Sequence, residues 1–196
     1  RLVSISMVHK LKGHYLDTKH PIIVENLMGI KRVKGSIQKG KKPILINHLK
    51  SIINVIDEQK VEEIKKLRDK SIILIGFGGG FRRTELISID REDLEFVPEG
   101  LKITIRRSKT DQFGEGMIKG LPYFTNEIYC PVKNLKKWLE ISKITTGPIF
   151  RRFSKGSSLT NKRLTDQSVV LLMKKYLNLA GIDNKNFAGH SLRAGF

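Results

Sequence analysis

Cysteine is nearly absent from this sequence, and its scarcity excludes several kinds of site. The 196 residues include a single cysteine, Cys130, so a disulfide framework and a cysteine-rich zinc site are both excluded. The five histidines show no metal-ligand spacing such as His-Glu-x-x-His. No apolar run approaches the ~20 residues needed to span a bilayer, and no secretory signal is visible. These absences predict a soluble protein of a reducing compartment.

Acidic residues are also few in comparison with basic ones. Asp and Glu number 19 against 37 Lys and Arg, which gives a formal net charge of +18. This excess predicts a polyanionic partner, because each phosphate that a cation neutralises releases condensed counterions. Nucleic acid is the favoured partner, and a ribosomal or chromatin-like binder or a surface that meets anionic lipid are the alternatives. With 39% hydrophobic and 29% charged residues, the chain is expected to fold around a packed core.

The spacing of apolar residues predicts the fold class. Apolar residues recur at helical intervals over residues 49–56, 64–75, 131–139 and 169–176. Asn47 is a candidate N-cap for the first of these helices and Thr165 for the last. The pattern of short strands is found at residues 94–97, 101–105 and 116–121. The basic segments 31–42 and 151–163 are interpreted as an exposed linker and a loop. The sequence therefore predicts a mainly helical α+β domain with one small antiparallel sheet.

A glycine-rich segment, residues 76–80, follows an apolar stretch and could be taken for a dinucleotide-binding loop. The fingerprint of such loops requires a further glycine where Phe81 stands, so this cofactor site is rejected. The glycines instead make a break in front of Arg82, Arg83 and the helix-forming residues that follow. An arginine at a helix N-terminus after such a break can hold a phosphate through its bidentate guanidinium. On chemistry alone, either arginine could have this role.

Two further segments carry candidate site residues. Lys109 follows the second predicted strand, where a hairpin turn is expected. A positioned lysine can protonate an expelled alkoxide, although a lone lysine in so basic a chain is usually solvated. His190 and Arg193 have the spacing His-x-x-Arg, which places both on one face of a helix. This spacing is common by itself, so its weight depends on the other two segments.

In this order and at these intervals, the three segments resemble the motifs of the tyrosine recombinases, the phage-type integrases. Residues 80–86 are similar to the family segment that holds the first catalytic arginine, and the position of Glu85 assigns that role to Arg82. Lys109 matches the lysine of the family's β-hairpin, and His190 and Arg193 match its His-x-x-Arg box. The resemblance runs from residue 42 to residue 196 and implies the catalytic-domain fold of DNA breaking-rejoining enzymes.

The resemblance also implies a mechanism. Arg82 and Arg193 would clamp the non-bridging oxygens of the scissile phosphate and stabilise its growing charge. Lys109 would protonate the leaving 5′ oxygen, and His190 would assist proton transfer. The nucleophile of the family is a tyrosine that forms a 3′-phosphotyrosyl link. We expect this tyrosine beyond Phe196, so the chain alone should be inactive in cleavage. The resemblance implies neither a metal nor a cofactor.

Domain organisation and partners follow from the same resemblance. Residues 1–34 are expected to be the end of an N-terminal core-binding, SAM-like domain, and residues 35–196 the catalytic domain without its C-terminal part. The implied partners are double-stranded DNA and, in the full-length protein, a homotetramer on two DNA duplexes. The implied setting is the bacterial cytoplasm, at the nucleoid, within a phage or other mobile element. The cations of segments 31–42 and 151–163 are expected to follow the DNA backbone.

Two other functions remain open at the level of sequence. A type IB topoisomerase shares the catalytic set and fold, although the short lead-in and the Ser-Lys-Thr hairpin favour an integrase. A non-catalytic DNA-binding decoy, encoded by a decayed mobile element, would keep the same DNA-binding charges. Relaxation of supercoiled DNA without site preference would indicate the first alternative, and a natural stop codon after Phe196 the second.

Overall fold

The computed structural model describes residues 2–35, 40–106 and 116–196. The chain divides into two compact units, Arg1–Gly40 and Lys41–Phe196. Lys109 and the residues predicted to form its hairpin turn lie outside the described residues, so the predicted role of this lysine stays a prediction.

The first unit contains two helices, α1 (Leu2–Leu11) and α2 (Pro21–Lys34). Pro21 occupies the first turn of α2, where its missing N–H has no cost, and the side chain of His20 accepts a hydrogen bond from the amide of Ile22. Basic residues of the last turn suit the negative end of the helix dipole. Residues 31–34 are therefore helical, and their interpretation as part of a linker is wrong.

The second unit contains six helices within its described residues: α3 (Ile46–Glu58), α4 (Glu63–Gly78), α5 (Arg83–Ser88), α6 (Pro131–Ser142), α7 (Asp166–Leu179) and α8 (Ser191–Ala194). Helix α4 is central, because α3, α5, α6, α7 and α8 all pack on it. Its residues from Ser71 to Gly76 are all buried, as expected for a helical segment without charged residues on any side. A Cβ at Gly76 would lie 3.0 Å from Leu86, so this glycine permits the close approach of α5.

A three-stranded antiparallel sheet stands between α5 and α6 in the chain. It is formed by β1 (Leu94–Val97), β2 (Gly100–Ile105) and β3 (Met117–Pro122), in that spatial order. The inner face of β2 carries Leu101, Ile103 and Ile105, and the register pairs Leu101 with Leu121 of β3. The predicted period of two is confirmed, since the alternate residues of β2 are exposed.

Two further strands, β4 (Arg151–Phe153) and β5 (Leu159–Arg163), pair as an antiparallel hairpin. The interpretation of residues 151–163 as a loop is wrong. Phe153 and Leu159 face each other across the hairpin and pack against the core. These two apolar residues are enough to hold a short hairpin to the unit, although basic and small residues dominate the segment.

The helix ends follow the predicted signals with one correction. Thr165 caps α7 by accepting a hydrogen bond from the amide of Ser168. Asn47, in contrast, lies inside α3, whose N-cap is Leu45. The side chain of His48, in the first turn of α3, accepts a hydrogen bond from the Leu45 amide at 3.2 Å, which is the reciprocal bond of a capping box.

The predicted α+β class is confirmed: the described residues form helices around a small antiparallel sheet and one hairpin. No helix in this described part is both long and apolar enough to cross a membrane. Within the same residues, no group of three or more His, Cys, Asp and Glu side chains is arranged to hold a metal ion.

Candidate active site

A glycine turn between α4 and α5 presents Arg82. Gly79 caps α4, and Gly80 has a φ of 54°, a left-handed conformation that favours glycine. A Cβ at Gly79 would lie 2.1 Å from the ring of Phe81, which is buried in the core. Arg82 follows in extended conformation as the N-cap of α5. The buried ring therefore anchors the turn, and the next side chain projects from a helix N-terminus.

A buried carboxylate, that of Glu85, holds both predicted clamp arginines. Its Oε2 accepts a hydrogen bond from the Arg82 amide at 2.9 Å, and its Oε1 accepts one from Arg82 Nη1 at 2.6 Å. Arg193 Nη1 lies 3.9 Å from Oε2 of the same carboxylate. Glu85 is 2% exposed, so its negative charge is weakly screened and attracts both guanidinium groups. Arg82 and Arg193, 111 positions apart in sequence, are thus neighbours in space.

His190 and Arg193 are held by the short helix α8. His190 is its exposed N-cap residue, and Ser191 and Leu192, which follow, are both buried. The hydroxyl of Ser191 accepts a hydrogen bond from the Ala188 amide at 2.9 Å. Because Ser191 and Leu192 anchor the helix, the charged and titratable groups on either side of them remain at the surface.

Arg83 has a supporting position next to the same loop. Its Nη1 lies 3.6 Å from a carboxylate oxygen of Asp166, in the first turn of α7. A Cβ at Gly189 would lie 2.2 Å from Nε of Arg83, so the arginine rests against the backbone just before His190. This side chain therefore connects α5, α7 and the loop of His190.

Lys119 is a residue of the site that the sequence analysis did not single out. Its Nζ donates hydrogen bonds to the carbonyl oxygens of Gly79 at 2.7 Å and Gly80 at 3.2 Å, and lies 4.4 Å from the centre of the Phe81 ring. Burial lowers the pKa of Lys119, Glu85 opposes this change, and the charges of Arg193 and Arg82 add to it. The available signal was the period of β3, which places Lys119 on the same face as the buried Leu121.

The basic hairpin β4–β5 divides into internal and exposed cations. Arg151 donates hydrogen bonds to Pro148 O and to the side chain of Asn161, and Arg163 donates to Ile87 O at 2.6 Å. These arginines hold loops together. Exposed cations of the hairpin are Arg152, Lys155 and Lys162. Arg152 also donates a hydrogen bond from Nε to Arg163 O at 3.0 Å, and the exposed parts of these three side chains face solvent, where an external anion can reach them.

Tyr176 has a structural place, as its position on the apolar stripe of α7 predicts. It is 1% exposed, and its hydroxyl donates a hydrogen bond to Oδ2 of the buried Asp69 at 2.7 Å. Burial, and then the charge and hydrogen bond of Asp69, raise the pKa of Tyr176 above its usual value. The phenol is therefore neutral and its proton is shared with a carboxylate, which is unfavourable for a nucleophile.

Comparison with known proteins identifies the class to which this site belongs. A model of the phage integrase family matches residues 44–196, which is most of the chain. The chain belongs to the phage integrase family, and the resemblance of its motifs to those of the tyrosine recombinases is confirmed.

A particular relative is an integrase/recombinase XerD homolog of Selenomonas ruminantium. It is 43% identical over 199 residues, which cover 100% of this chain and 58% of that protein. The chain thus spans somewhat more than half the length of this relative.

Solved structures share the fold at low sequence identity. XerH site-specific recombinase bound to difH substrate, in a pre-cleavage complex, has a TM-score of 0.61 at 20% identity, over 82% of this chain and 43% of that chain. A lambda integrase dimer bound to a COC′ core site has a TM-score of 0.55 at 13% identity, over 87% of this chain and 47% of that chain. The predicted catalytic-domain fold of the tyrosine recombinases is therefore confirmed.

Proposed function

We propose that this chain supplies the phosphate-binding part of the catalytic domain of a site-specific DNA recombinase or integrase. The observation that carries the proposal is the meeting of Arg82 and Arg193 at the buried carboxylate of Glu85. Arg82, the N-cap of α5, and Arg193, on α8, present two guanidinium groups around one carboxylate, and such a pair can bind the oxygens of a phosphate. Membership of the phage integrase family supports a phosphodiester of DNA as the group bound.

The four predicted catalytic residues have complementary roles in this proposal. Arg82 and Arg193 bind the non-bridging oxygens and stabilise the charge that grows on them in the transition state. His190, the exposed N-cap of the helix that also carries Arg193, assists proton transfer at the phosphate or at the nucleophile. Lys109 protonates the leaving 5′ oxygen, and a tyrosine beyond Phe196 attacks the phosphorus.

The proposal extends to domains and partners. Residues 1–34 are proposed as the end of a core-binding domain, and residues 35–196 as the catalytic domain without its C-terminal part. The partner is double-stranded DNA, with four protomers on two duplexes in the full-length protein. Support comes from the solved relatives, which include XerH bound to its difH substrate and an FLP recombinase–Holliday junction complex. The net charge of +18 is in keeping with a DNA partner.

The test uses the protein extended through the proposed tyrosine and a duplex with a nick next to the cleavage site, which traps the covalent product. R82Q and R193Q should each lower the rate of covalent capture by at least about 10²-fold, because each removes a donor aimed at the developing charge. K102Q removes an exposed lysine from β2 and is the matched control. Capture that is equally fast in all the variants would contradict the proposal.

A further inference from the structure

Lys119 has an unusual position for a lysine on an antiparallel strand. Alternation along β3 directs it to the same side as Leu121, towards the core rather than towards solvent. Two of its three N–H donors are used by backbone carbonyls of the turn between α4 and α5, at 2.7 and 3.2 Å. These hydrogen bonds connect β3 to the turn and stabilise the conformation of the turn.

The carbonyls that Lys119 binds lie where a helix cannot supply donors. Helix α4 ends at Gly78, and the carbonyls of Gly79 and Gly80 come after its last turn. A cation at this end also suits the negative end of the helix dipole. The amides of Gly79, Gly80 and Phe81 are bonded to carbonyls of α4, whereas the carbonyls of the two glycines are bonded by Lys119. Because two successive glycines have high conformational freedom, the bonds from Lys119 restrict the turn further.

The turn determines where Arg82 points, because Arg82 follows Gly80 by only two residues. The amide of Phe81 is bonded to Gly76 O at 3.1 Å, and the amide of Arg82 is bonded to Glu85. Lys119 fixes the segment from the N-terminal side of these bonds, and Glu85 fixes it from the C-terminal side. The ammonium group also lies over the ring of Phe81, which favours the same arrangement.

We propose that Lys119 is a positioning residue, which holds the glycine turn so that Arg82 is already directed at the phosphate before DNA binds. The inference rests on the proposed function of Arg82 as a phosphate clamp. It differs from the role of Lys109, because Lys119 acts on Arg82 through Gly79 and Gly80 and transfers no proton. Without this bond, the binding of DNA would have to order the turn as well as bind the phosphate, and the affinity would fall.

The first experiment measures the turn itself, in the absence of DNA. Amide hydrogen exchange followed by NMR should show that K119M, which keeps the length of the side chain, speeds exchange at Phe81 and Arg82 by about tenfold. K119R, which keeps the charge and the donors, should restore slow exchange. K102M, the matched control on the exposed face of β2, should leave both amides unchanged. Unchanged exchange in K119M would overturn the proposal.

The second experiment is a double-mutant cycle on the affinity of the chain for a duplex of defined sequence. K119M should weaken binding about tenfold in the wild-type chain and have no further effect in R82Q, because both changes disable the same phosphate clamp. Equal reductions in both backgrounds would mean that Lys119 binds DNA directly, and would overturn the proposal. If wild type and R82Q bind DNA equally, the proposed function of Arg82 has failed, and the exchange measurement still decides whether Lys119 fixes the turn.

Discussion

At the scale of single residues, the site depends on one buried negative charge. Glu85 is almost fully buried, and it bonds Arg82 and lies beside Arg193. A carboxylate in such a place compensates two cations that would otherwise repel each other at short range. Its amide analogue, glutamine, keeps the shape and one acceptor but removes the charge. The exchange of Glu85 for Gln therefore tests electrostatics separately from packing.

E85Q should lower the free energy of unfolding by about 1–3 kcal/mol, because the charge of a buried hydrogen-bond partner is removed. The measurement is urea denaturation followed by the fluorescence of Trp138, which is buried in the core. E95Q is the control, since Glu95 is exposed on β1 and pairs with the exposed Lys102. We expect it to change stability by less than about 0.5 kcal/mol. A value for E85Q as small as that of E95Q would contradict the anchoring role.

The proposed general-acid role of Lys109, which lies outside the described residues, can be tested by measuring cleavage rates. In the protein extended through the tyrosine, K109A should slow cleavage of ordinary DNA by about 10²–10⁴-fold, the usual contribution of a general acid. A substrate whose 5′ bridging oxygen is replaced by sulfur expels a thiolate, which needs no proton. Cleavage of that substrate should therefore be spared in K109A. Equal slowing on the two substrates would remove the general-acid role from Lys109.

At the scale of secondary-structure elements, the β4–β5 hairpin contains two kinds of basic residue: some bond other parts of the protein, and others are exposed to solvent. Arg163 donates hydrogen bonds to backbone carbonyls at the C-terminal end of α5 and bonds Asp90. Arg152, Lys155 and Lys162 remain exposed. Charge density along the sequence could not make this distinction, because all of these residues stand in one basic segment. Within the hairpin, the predicted interaction with the DNA backbone is therefore assigned to the three exposed cations.

The triple variant R152Q/K155Q/K162Q should flatten the plot of log affinity for duplex DNA against log salt concentration. The expected change is about 0.9 in slope for each phosphate that is no longer neutralised, because fewer counterions are released on binding. Fluorescence anisotropy at several salt concentrations measures the slope. A control that removes the same charge elsewhere is K60Q/K102Q/K143Q. Equal slopes for the two triple variants would show that the hairpin is solvated surface that does not bind DNA.

The sequence predicts those elements that have a regular spacing of apolar residues, and it does not predict the β4–β5 hairpin. Helices α4 and α7 and the strands of the sheet have regular apolar periods, and the structure has them within a few residues of the predicted bounds. The β4–β5 hairpin was missed because only two apolar side chains, Phe153 and Leu159, hold it to the core. The other positions of the two strands are mostly basic or polar, so no apolar alternation predicts a strand there.

The candidate site was predictable only in part. The motif residues Arg82, His190 and Arg193 could be named because their spacing matches a family, and the structure places Arg82 and Arg193 together. Lys119 could not be named, since its role depends on hydrogen bonds between β3 and a turn 39 residues earlier. Interactions of this kind follow from the packing of the sheet on α4, which no local sequence pattern records.

At the scale of the whole molecule, the site is assembled from distant parts of the second unit. Arg82 precedes α5, in the first half of the unit, and Arg193 lies on α8, its last helix. The first residues of the unit are bonded to the segment that leads into that helix: the amide of Lys42 to Asn186 O at 2.7 Å, and the amide of Ile44 to Ser191 O at 2.8 Å. The geometry of the proposed phosphate clamp therefore depends on bonds between the two ends of the unit, and we expect local unfolding at either end to separate the two arginines.

The tyrosines of the second unit have structural contacts in the folded protein. Tyr176 is buried with its hydroxyl on Asp69, and Tyr129 donates a hydrogen bond to Asn54 at 3.1 Å. Tyr123 packs against the core. In-line attack needs a phenolic oxygen about 3 Å from the phosphorus, beside Arg82 and Arg193. These positions support the proposal that the nucleophile lies beyond Phe196.

The chain of residues 1–196 should therefore bind duplex DNA and yet form no covalent link to it. Binding is expected because the excess of basic residues and both clamp arginines are present, and capture fails because no phenol is in line with a leaving group. The measurement is incubation with nicked duplex, followed by a denaturing gel that separates free protein from adduct. The protein extended through the proposed tyrosine is the positive control and should give an adduct on the same duplex. An adduct of the shorter chain that Y176F abolishes would show that Tyr176 leaves Asp69 and attacks, and would overturn both the placement of the nucleophile and the structural role of this tyrosine.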